Sequence, residues 1–204
     1  MGVQTFEHCS LAYLNLWSEN DKSCTEALSG NNQEKKLIAL KKSANVFKIA
    51  RNLQTQYDVG KGLKRYAPVL KILDKVNLTN IKKEPVIEIR KIEKLISNKY
   101  GNSEVLSLTT KFLWLKVQSP VLIYDSQAQK ALGTRVGDLE DFYHRWHIEY
   151  NLKEDEINNA CSKLKGLYRY MKSSNEITKE EVGMISSQKW FRERVFDIYL
   201  WNIG

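Results

Sequence analysis

The sequence contains few of the residues that interrupt helices: three prolines and ten glycines among 204 residues. Long uninterrupted windows suit helices, and the alternation of polar and apolar residues that marks half-buried strands is scarce. No run of about eighteen uncharged apolar residues occurs, which argues against a membrane-spanning helix and a membrane partner. Hydrophobic residues make up 42% and charged residues 27% of the chain. These globular proportions exclude wholesale disorder.

Cysteine is also scarce, because the chain has three widely spaced cysteines and no Cys-x-x-Cys pair. This pattern argues against a disulfide scaffold or a cysteine-ligated metal and favours a reducing compartment. The first residues, MGVQTFEHCS, have no basic segment followed by an apolar one, so we expect no secretory signal and a cytoplasmic location. His144 and His147 have no third ligand near them in sequence. We therefore predict no metal site and no cofactor.

Positive charge is in excess, because 32 lysines and arginines against 24 acidic residues give a net charge of +8. The basic residues recur in clusters, such as Lys41–Lys42 and Lys82–Lys83, within segments that also carry apolar periodicity. Each cluster taken singly is typical of a solvated helix face. Taken together, the excess favours a protein that faces nucleic acid. Charge alone does not decide between the two interpretations.

Apolar residues recur at helical spacing along most of the chain. Helices are predicted at residues 33–57, 63–73, 84–100, 106–116, 126–132, 138–172 and 189–201. The apolar face of the first is predicted at Leu37, Leu40, Ala44, Phe47 and Ala50, and that of the last at Phe191, Val195, Ile198 and Trp201. A break is expected at residues 59–62. We therefore predict an all-α fold, and the length fits one large domain or two small lobes.

Two charged residues near the middle of the sequence, Lys111 and Asp125, are candidates for a shared site. Lys111 lies near the start of an apolar helix, and Asp125 lies at an N-cap position before the next helix. Their separation of 14 residues is long enough for the helix to lead away from Lys111 and for the following link to bring the chain back. The two side chains could therefore meet at one cleft. The alternatives are a surface lysine with its stem along apolar neighbours and a plain helix cap.

This segment resembles the helix-hairpin-helix DNA glycosylases of the endonuclease III and 8-oxoguanine glycosylase type. In that superfamily a Leu-Pro-Gly-Val-Gly-x-Lys hairpin leads into a helix, and a Val-Asp-x-His-Val-x-Arg stretch carries the catalytic aspartate. Residues 106–111, LSLTTK, are similar to the hairpin end and its lysine, and residues 124–130, YDSQAQK, to the aspartate stretch. Ser107 and Thr109 replace the hairpin glycines, and the iron–sulfur cysteines are missing. The chain therefore looks like a divergent relative without a cluster.

The resemblance implies a single compact unit over residues 1–204, a two-lobed helical bundle with a cleft near residues 106–133. It implies a monomeric DNA glycosylase, a hydrolase that flips a damaged or modified base and cleaves its N-glycosidic bond. Asp125 would stabilise the oxocarbenium-like transition state, and Lys111 is the candidate covalent nucleophile of a lyase step. The implied DNA contacts are Ser107, Thr109, Thr110 and Lys130. Some compact bacterial proteins of this fold belong with phage defence, which makes a modified viral base an expected target.

A flipped base needs a pocket with flat apolar walls and a few polar groups. The candidate pocket residues are Trp114, Tyr124, Arg194, Asp197 and Trp201. The alternative for the aromatic residues is that they fill a core. Asp197 is flanked by apolar residues and needs a partner if it is buried, which Arg194 could supply from the same helix face.

Two other functions stay open at this point. One is a non-catalytic helical DNA-binding or regulatory module, which the replaced hairpin glycines favour. The other is a helical interaction or toxin-like protein unconnected with DNA, in which the positive charge serves only solubility.

Overall fold

The computed structural model of the chain describes residues 5–53, 62–172 and 177–204, and within these ranges it is all-α, as predicted, without a β-strand. The helices are α1 (Phe6–Leu16), α2 (Lys22–Ser29), α3 (Gln33–Val46), α4 (Ala67–Leu73), α5 (Leu78–Lys83), α6 (Pro85–Ser97), α7 (Leu106–Val117), α8 (Ser126–Leu132), α9 (Leu139–Leu167), α10 (Lys179–Ser186) and α11 (Lys189–Ile203). Short 3₁₀ or π turns flank several of them. None of the helices in these ranges is long and apolar enough to cross a membrane.

The chain divides into two compact units. Unit 1 combines Met1–Glu19 with Tyr124–Gly204, and unit 2 is Asn20–Ile123. The change from unit 2 to unit 1 thus falls between α7 and α8, within the segment where a cleft is expected. The cleft itself stays a prediction.

Unit 1 is built around the long helix α9, which packs against α1, α8, α10 and α11. Aromatic side chains fill its core. The Trp146 ring stacks on Tyr150 with 5.0 Å between centroids and meets the edge of Phe196 at 5.1 Å. Tyr13 of α1 packs against Phe191 of α11 at 4.9 Å. These large apolar surfaces, removed from water, hold α1, α9 and α11 together.

Unit 2 is built around α7, which packs against α2, α3 and α6. Nearly every residue from Leu106 to Leu115 is buried, so this helix presents apolar surface on all sides. A helix of that composition is stable only inside a core, which explains why other helices surround it. Buried isoleucines of α6, at positions 89, 92 and 96, cover one of its sides.

Side-chain caps set several helix starts. Asp125 begins α8 by accepting a hydrogen bond from the Gln127 amide at 3.0 Å, and Asp138 begins α9 by accepting one from the Asp141 amide at 3.0 Å. These caps satisfy amides that have no partner within the first helical turn. Gly133 ends α8 in the left-handed conformation, with φ at 63°, which glycine adopts without strain.

The predicted helix over residues 33–57 is too long. Helix α3 ends at Val46 because Lys48 takes a left-handed conformation, and the Ile49 amide then bonds back to the Ala44 carbonyl at 3.0 Å. Leu40 and Ala44 of its predicted apolar face are buried, but Leu37 is only half-buried and the neighbouring Lys36 is buried instead. Residue 57 and most of the expected break at 59–62 lie outside the described residues.

The hairpin predicted from residues 106–111 is wrong, because these residues form the first turns of α7. The connection from α6 to α7 runs instead through residues 98–105, where Gly101 and Asn102 have φ of 72° and 58°. The Ser97 hydroxyl donates to the Ser103 carbonyl at 2.8 Å and closes this turn. The tight backbone thus precedes α7 instead of forming its start.

The apolar face predicted for the last helix is also partly wrong. Phe191 and Val195 are buried as expected, but Ile198 is half-buried and Trp201 is 56% exposed. In their place the helix buries the charged residues Arg194 and Asp197. Helices α1, α2, α5 and α10 were not predicted. The other predicted helices are confirmed within a few residues of their ends.

Candidate active site

Asp125 stands at the start of α8 in unit 1, directly after the apolar link that follows α7. Its backbone is extended, and its Oδ1 accepts the hydrogen bond from the Gln127 amide. The residue is half-buried. A carboxylate has acceptor positions on both oxygens, and the cap uses one of them.

A buried carboxylate lies near Asp125 within the same unit. Asp197 of α11 is 6% exposed and accepts two hydrogen bonds through different oxygens. The Trp146 indole N–H donates to its Oδ1 at 2.8 Å, and the Arg194 guanidinium donates to its Oδ2 at 3.1 Å. The expected Arg194–Asp197 pair is therefore present. Arg194 in turn lies over the ring of Tyr13, 5.2 Å from its centroid.

Electrostatics set Asp197 apart from an ordinary surface aspartate. Burial raises the pKa of the Asp197 carboxyl to about 6, and the negative charge of Asp125 adds to this rise. The charge of Arg194 and the hydrogen bonds from Trp146 and Arg194 oppose it without cancelling it. Removal from water disfavours the charged form more strongly than one cation and one neutral donor favour it.

These groups form a carboxylate cluster, defined here as Asp125, Asp197, Arg194 and Trp146. Asp125 is half-buried and anchored at a helix start, while Asp197 is buried and accepts hydrogen bonds from two donors. Pairs of acids in such different surroundings divide acid and base roles between them in many active sites. The cluster can place a negative charge beside a developing cation and hold a proton nearby.

Lys111 lies in unit 2, in the buried helix α7. The side chain is 6% exposed, and its ammonium donates to the Ser107 hydroxyl, one turn earlier, at 3.1 Å. The nitrogen also lies 5.7 Å from the centre of the Phe47 ring. Lys111 is therefore a buried lysine and not a surface one. Because Asp125 belongs to the other unit, the meeting of these two side chains stays a prediction.

The residues predicted to form a base pocket are mostly core residues. Trp114 is buried in unit 2, and Tyr124 is buried in unit 1, where its ring meets Phe142 at 5.1 Å and its hydroxyl accepts from the Gly137 amide. Arg194 and Asp197 belong to the carboxylate cluster. Trp201 lies at the surface. Within each unit, the structure therefore brings together only the two charged members of the predicted set.

The residues predicted to contact DNA differ in their exposure. Thr109 and Thr110 have no accessible surface, because both point into the core around α7. A fully buried hydroxyl has no access to a phosphate, so Thr109 and Thr110 are not proposed as DNA contacts. Ser107 is half-buried and is the acceptor for Lys111, while Lys130 is exposed on α8 and donates to the Gln127 side chain at 3.2 Å.

A cavity of about 370 Å³ opens in unit 1 where α8, α9 and α11 meet. Its lining residues are Ala131, Leu132, Asp141, His144, Arg145, Ile148, Glu149, Lys153, Tyr199, Leu200 and Ile203. None of the predicted pocket residues is among them. It borders the last turn of α8, about 9 Å along the helix axis from Asp125 at 1.5 Å per residue.

Trp146 is the site residue that the sequence analysis missed. It belongs to the aromatic-rich helix α9 and lies 51 residues from Asp197 along the chain. The available signal was chemical: a buried indole N–H needs an acceptor, and an aspartate in an apolar stretch needs a donor. No cluster of three or more potential metal-ligating side chains occurs in the described ranges.

Comparison with known proteins does not add a family to this description. No protein-family model, curated protein or solved structure matches the chain. The resemblance to helix-hairpin-helix glycosylases therefore stays a prediction that depends on residues 106–130.

Proposed function

We propose that the protein is a DNA glycosylase that flips a damaged or modified base and cleaves its N-glycosidic bond, with Asp125 as the essential carboxylate. The observation that carries the proposal is that Asp125 is fixed at the start of α8, which packs against α11, the helix of the buried Arg194–Asp197 pair. The net charge of +8 supports a polyanionic partner.

Cleavage of the glycosidic bond builds positive charge on the sugar. A carboxylate fixed beside that sugar stabilises the charge as it develops and can accept a proton from the attacking water. Asp125 is suited to this role because its cap hydrogen bond fixes the side chain at the start of α8. Arg194 and Trp146 hold Asp197 in place through their hydrogen bonds.

Lys111 would act in a second, lyase step. After base release, a neutral lysine amine condenses with the C1′ aldehyde of the abasic sugar and expels water, which gives a Schiff base. Loss of a C2′ proton then eliminates the 3′-phosphate and cuts the strand. Burial among apolar side chains and the hydrogen bond to Ser107 hold this lysine in one position. Exposed Lys130, at the solvent side of α8, would contact phosphate.

The first test is a screen for base release. The purified protein is incubated with duplex and single-stranded DNA carrying oxidised, alkylated, deaminated or phage-type modified bases, and abasic sites are counted. We expect abasic sites on at least one substrate and none with Asp125→Asn. Asparagine is as good a helix cap as aspartate, so this variant should fold like the wild type. Asp125→Asn with wild-type release would refute the proposed role.

The second test separates lyase from hydrolase. Borohydride reduces a Schiff base to a stable covalent adduct, which is seen as a shifted band on a denaturing gel. We expect an adduct with wild type and none with Lys111→Met. Lys36→Met is the matched control, because Lys36 is a lysine of similar burial in the same unit. An adduct that survives Lys111→Met would show that another amine is used.

The second candidate function is a non-catalytic DNA-binding module with a glycosylase-like helical arrangement. The burial of Trp114, Tyr124 and Asp197 favours it, because these residues already have partners within the cores. It predicts salt-dependent DNA binding that Asp125→Asn does not change, with no base released from any substrate.

A further inference from the structure

A groove of about 810 Å³ crosses the surface of unit 2 between α4 and α6, on residues that the proposed chemistry does not use. Its floor consists of aliphatic side chains: Ala67, Pro68, Ile72, Val76, Ile92 and Leu95. Leu95 is 53% exposed, whereas the isoleucines at positions 89, 92 and 96 of the same helix are buried. The groove therefore offers apolar surface that would gain free energy by being covered.

Lysines surround this apolar floor. They are Lys64, Lys71, Lys75, Lys91 and Lys99. Glu88 is the one acidic residue among the described residues that line the groove, and it is bonded to Lys91 at 2.6 Å. The other lysines are exposed and form no ion pair with any residue in the described ranges. Among the described residues, the rim thus carries positive charge that no acidic residue pairs with, apart from the charge of Lys91.

We infer that the groove between α4 and α6 binds an amphipathic helix of a partner protein whose apolar stripe is flanked by acidic residues. An aliphatic floor between two rows of lysines is complementary to such a helix in both hydrophobicity and charge. The part of α6 that lines the groove, from Glu88 to Leu95, is roughly 10 Å long at 1.5 Å per residue, which matches about two turns of a bound helix.

Nucleic acid fits the groove less well. A phosphate backbone would pair with the lysines but has no apolar surface to cover Ile72, Val76 and Leu95. None of the described residues that line the groove is aromatic, so none offers a ring on which a base could stack, and none is an arginine that could read a base edge. The chemistry of the floor therefore selects a protein helix, and the charge of the rim selects an acidic one.

The test uses the full-length protein and a fluorescent synthetic helix of about fourteen residues. Leucines at i, i+3, i+4 and i+7 form its apolar stripe, and glutamates fill the flanking positions. The control peptide carries lysine in place of every glutamate. We expect the acidic peptide to bind in fluorescence anisotropy with salt-sensitive affinity, and the basic peptide not to bind.

Paired variants locate the binding. Lys71→Glu combined with Lys75→Glu is expected to weaken the acidic peptide at least about tenfold, because charge reversal at an interface is costly. Lys82→Glu combined with Lys83→Glu makes the same change of net charge on α5, outside the groove, and is expected to stay within about twofold. Leu95→Gln should weaken binding about fivefold or more, while Ile87→Gln, an equally exposed α6 residue outside the groove, should not.

Three results would overturn the inference. The first is no binding of the acidic peptide, and the second is equal loss in the α5 and groove variants. The third is displacement of the peptide by duplex DNA or by vesicles of anionic phosphatidylglycerol, with the groove variants losing affinity for that competitor. This last result would assign the groove to nucleic acid or to a lipid surface.

Discussion

Each unit of the molecule contains an ion pair with a buried cation, and the two pairs differ in what surrounds the carboxylate. In unit 2 the Lys36 ammonium donates to Asp74 at 2.7 Å and links α3 to the end of α4. Asp74 also accepts from Gln33 at 3.2 Å, and Lys116 lies 3.7 Å away. In unit 1 the Arg194–Asp197 pair lies within one helix, where both side chains are almost fully buried.

The carboxyl pKa values shift in opposite directions. Burial pushes the pKa of Asp74 up, but the hydrogen bonds from Lys36 and Gln33, together with the charges of Lys36 and Lys116, outweigh it and leave the pKa below its ordinary value. Burial dominates at Asp197, whose pKa rises to about 6. The charged form of Asp74 therefore stabilises unit 2. The charged form of Asp197 is held in unit 1 at a cost in stability, as is typical of functional groups.

The largest expected difference between the pairs is the effect of removing the cation. Arg194→Met leaves Asp197 buried without its charge partner and should lower the free energy of unfolding by about 3–5 kcal/mol at neutral pH. Lys36→Met should cost about 1–2 kcal/mol, because Asp74 keeps other donors and partial contact with water. Urea unfolding measures both variants. Equal losses of unfolding free energy in the two variants, or a larger loss in Lys36→Met, would contradict the proposed difference between the pairs.

The next effect is the pH dependence of Asp197. Its folded pKa of about 6 lies above the ordinary value of 3.8, so its contribution to stability is full below 3.8 and is lost as pH rises through 6. The stability of wild type relative to Asp197→Asn should therefore fall by about 2 kcal/mol between about pH 4 and pH 7. Urea titrations across this range measure the difference. A difference that rises with pH would contradict the assignment.

Asp74 should behave in the opposite way. Because its folded pKa is lowered, its contribution is present above the ordinary value and is lost as pH falls through the folded pKa. The advantage of wild type over Asp74→Asn should be roughly 1 kcal/mol near pH 6 and should vanish in strong acid. Thermal unfolding of both proteins below pH 4 tests the direction. An advantage that persists when every carboxyl group is protonated would show that charge is not its source.

The smallest effect is expected for a surface pair of unit 1. Arg145 donates to Asp141 at 3.0 Å, with the two side chains 50% and 31% exposed. Arg145→Ala should change the free energy of unfolding by less than about 0.5 kcal/mol, because water competes for both charges. Urea unfolding in low and high salt provides the measurement. A loss as large as that of Lys36→Met would show that burial is not what distinguishes these pairs.

Local rules in the sequence were enough to predict much of the fold. Asp125 was placed at a helix start because aspartate caps helices, and it makes the expected hydrogen bond. Helix α6 begins at Pro85, within one residue of its predicted start. These features depend on neighbours within four residues, which a sequence displays directly.

The mistakes concern features that depend on distant residues. The apolar face of α11 was placed on Ile198 and Trp201 because apolar residues were assumed to point inward. The structure instead buries Arg194 and Asp197, whose partner Trp146 is far away in the sequence. Similarly, α3 buries Lys36 because the Asp74 carboxylate forms an ion pair with its ammonium. A charged side chain is buried only where a partner is present, and the hydrophobic periodicity of a helix does not show where that partner lies.

In the candidate site too, residues recognisable from their local sequence were predicted, and those that depend on distant partners were not. Asp125, Arg194 and Asp197 were singled out from their sequence context, whereas Trp146 was not. The left-handed backbone of Asn102, before α7, was not predicted, because its residue type only weakly signals that conformation. The pairing of Lys111 with Asp125 depends on two units and stays a prediction.

The most direct test of the central claim is the single-turnover rate of base release on the best substrate from the screen. Asp125→Asn is compared with Asp138→Asn, since both residues are half-buried aspartates that cap a helix of unit 1 through one amide. If Asp125 is the essential carboxylate, its variant should lose about 10²-fold or more in rate, whereas Asp138→Asn should keep the wild-type rate. Equal rates for the two variants would contradict the account.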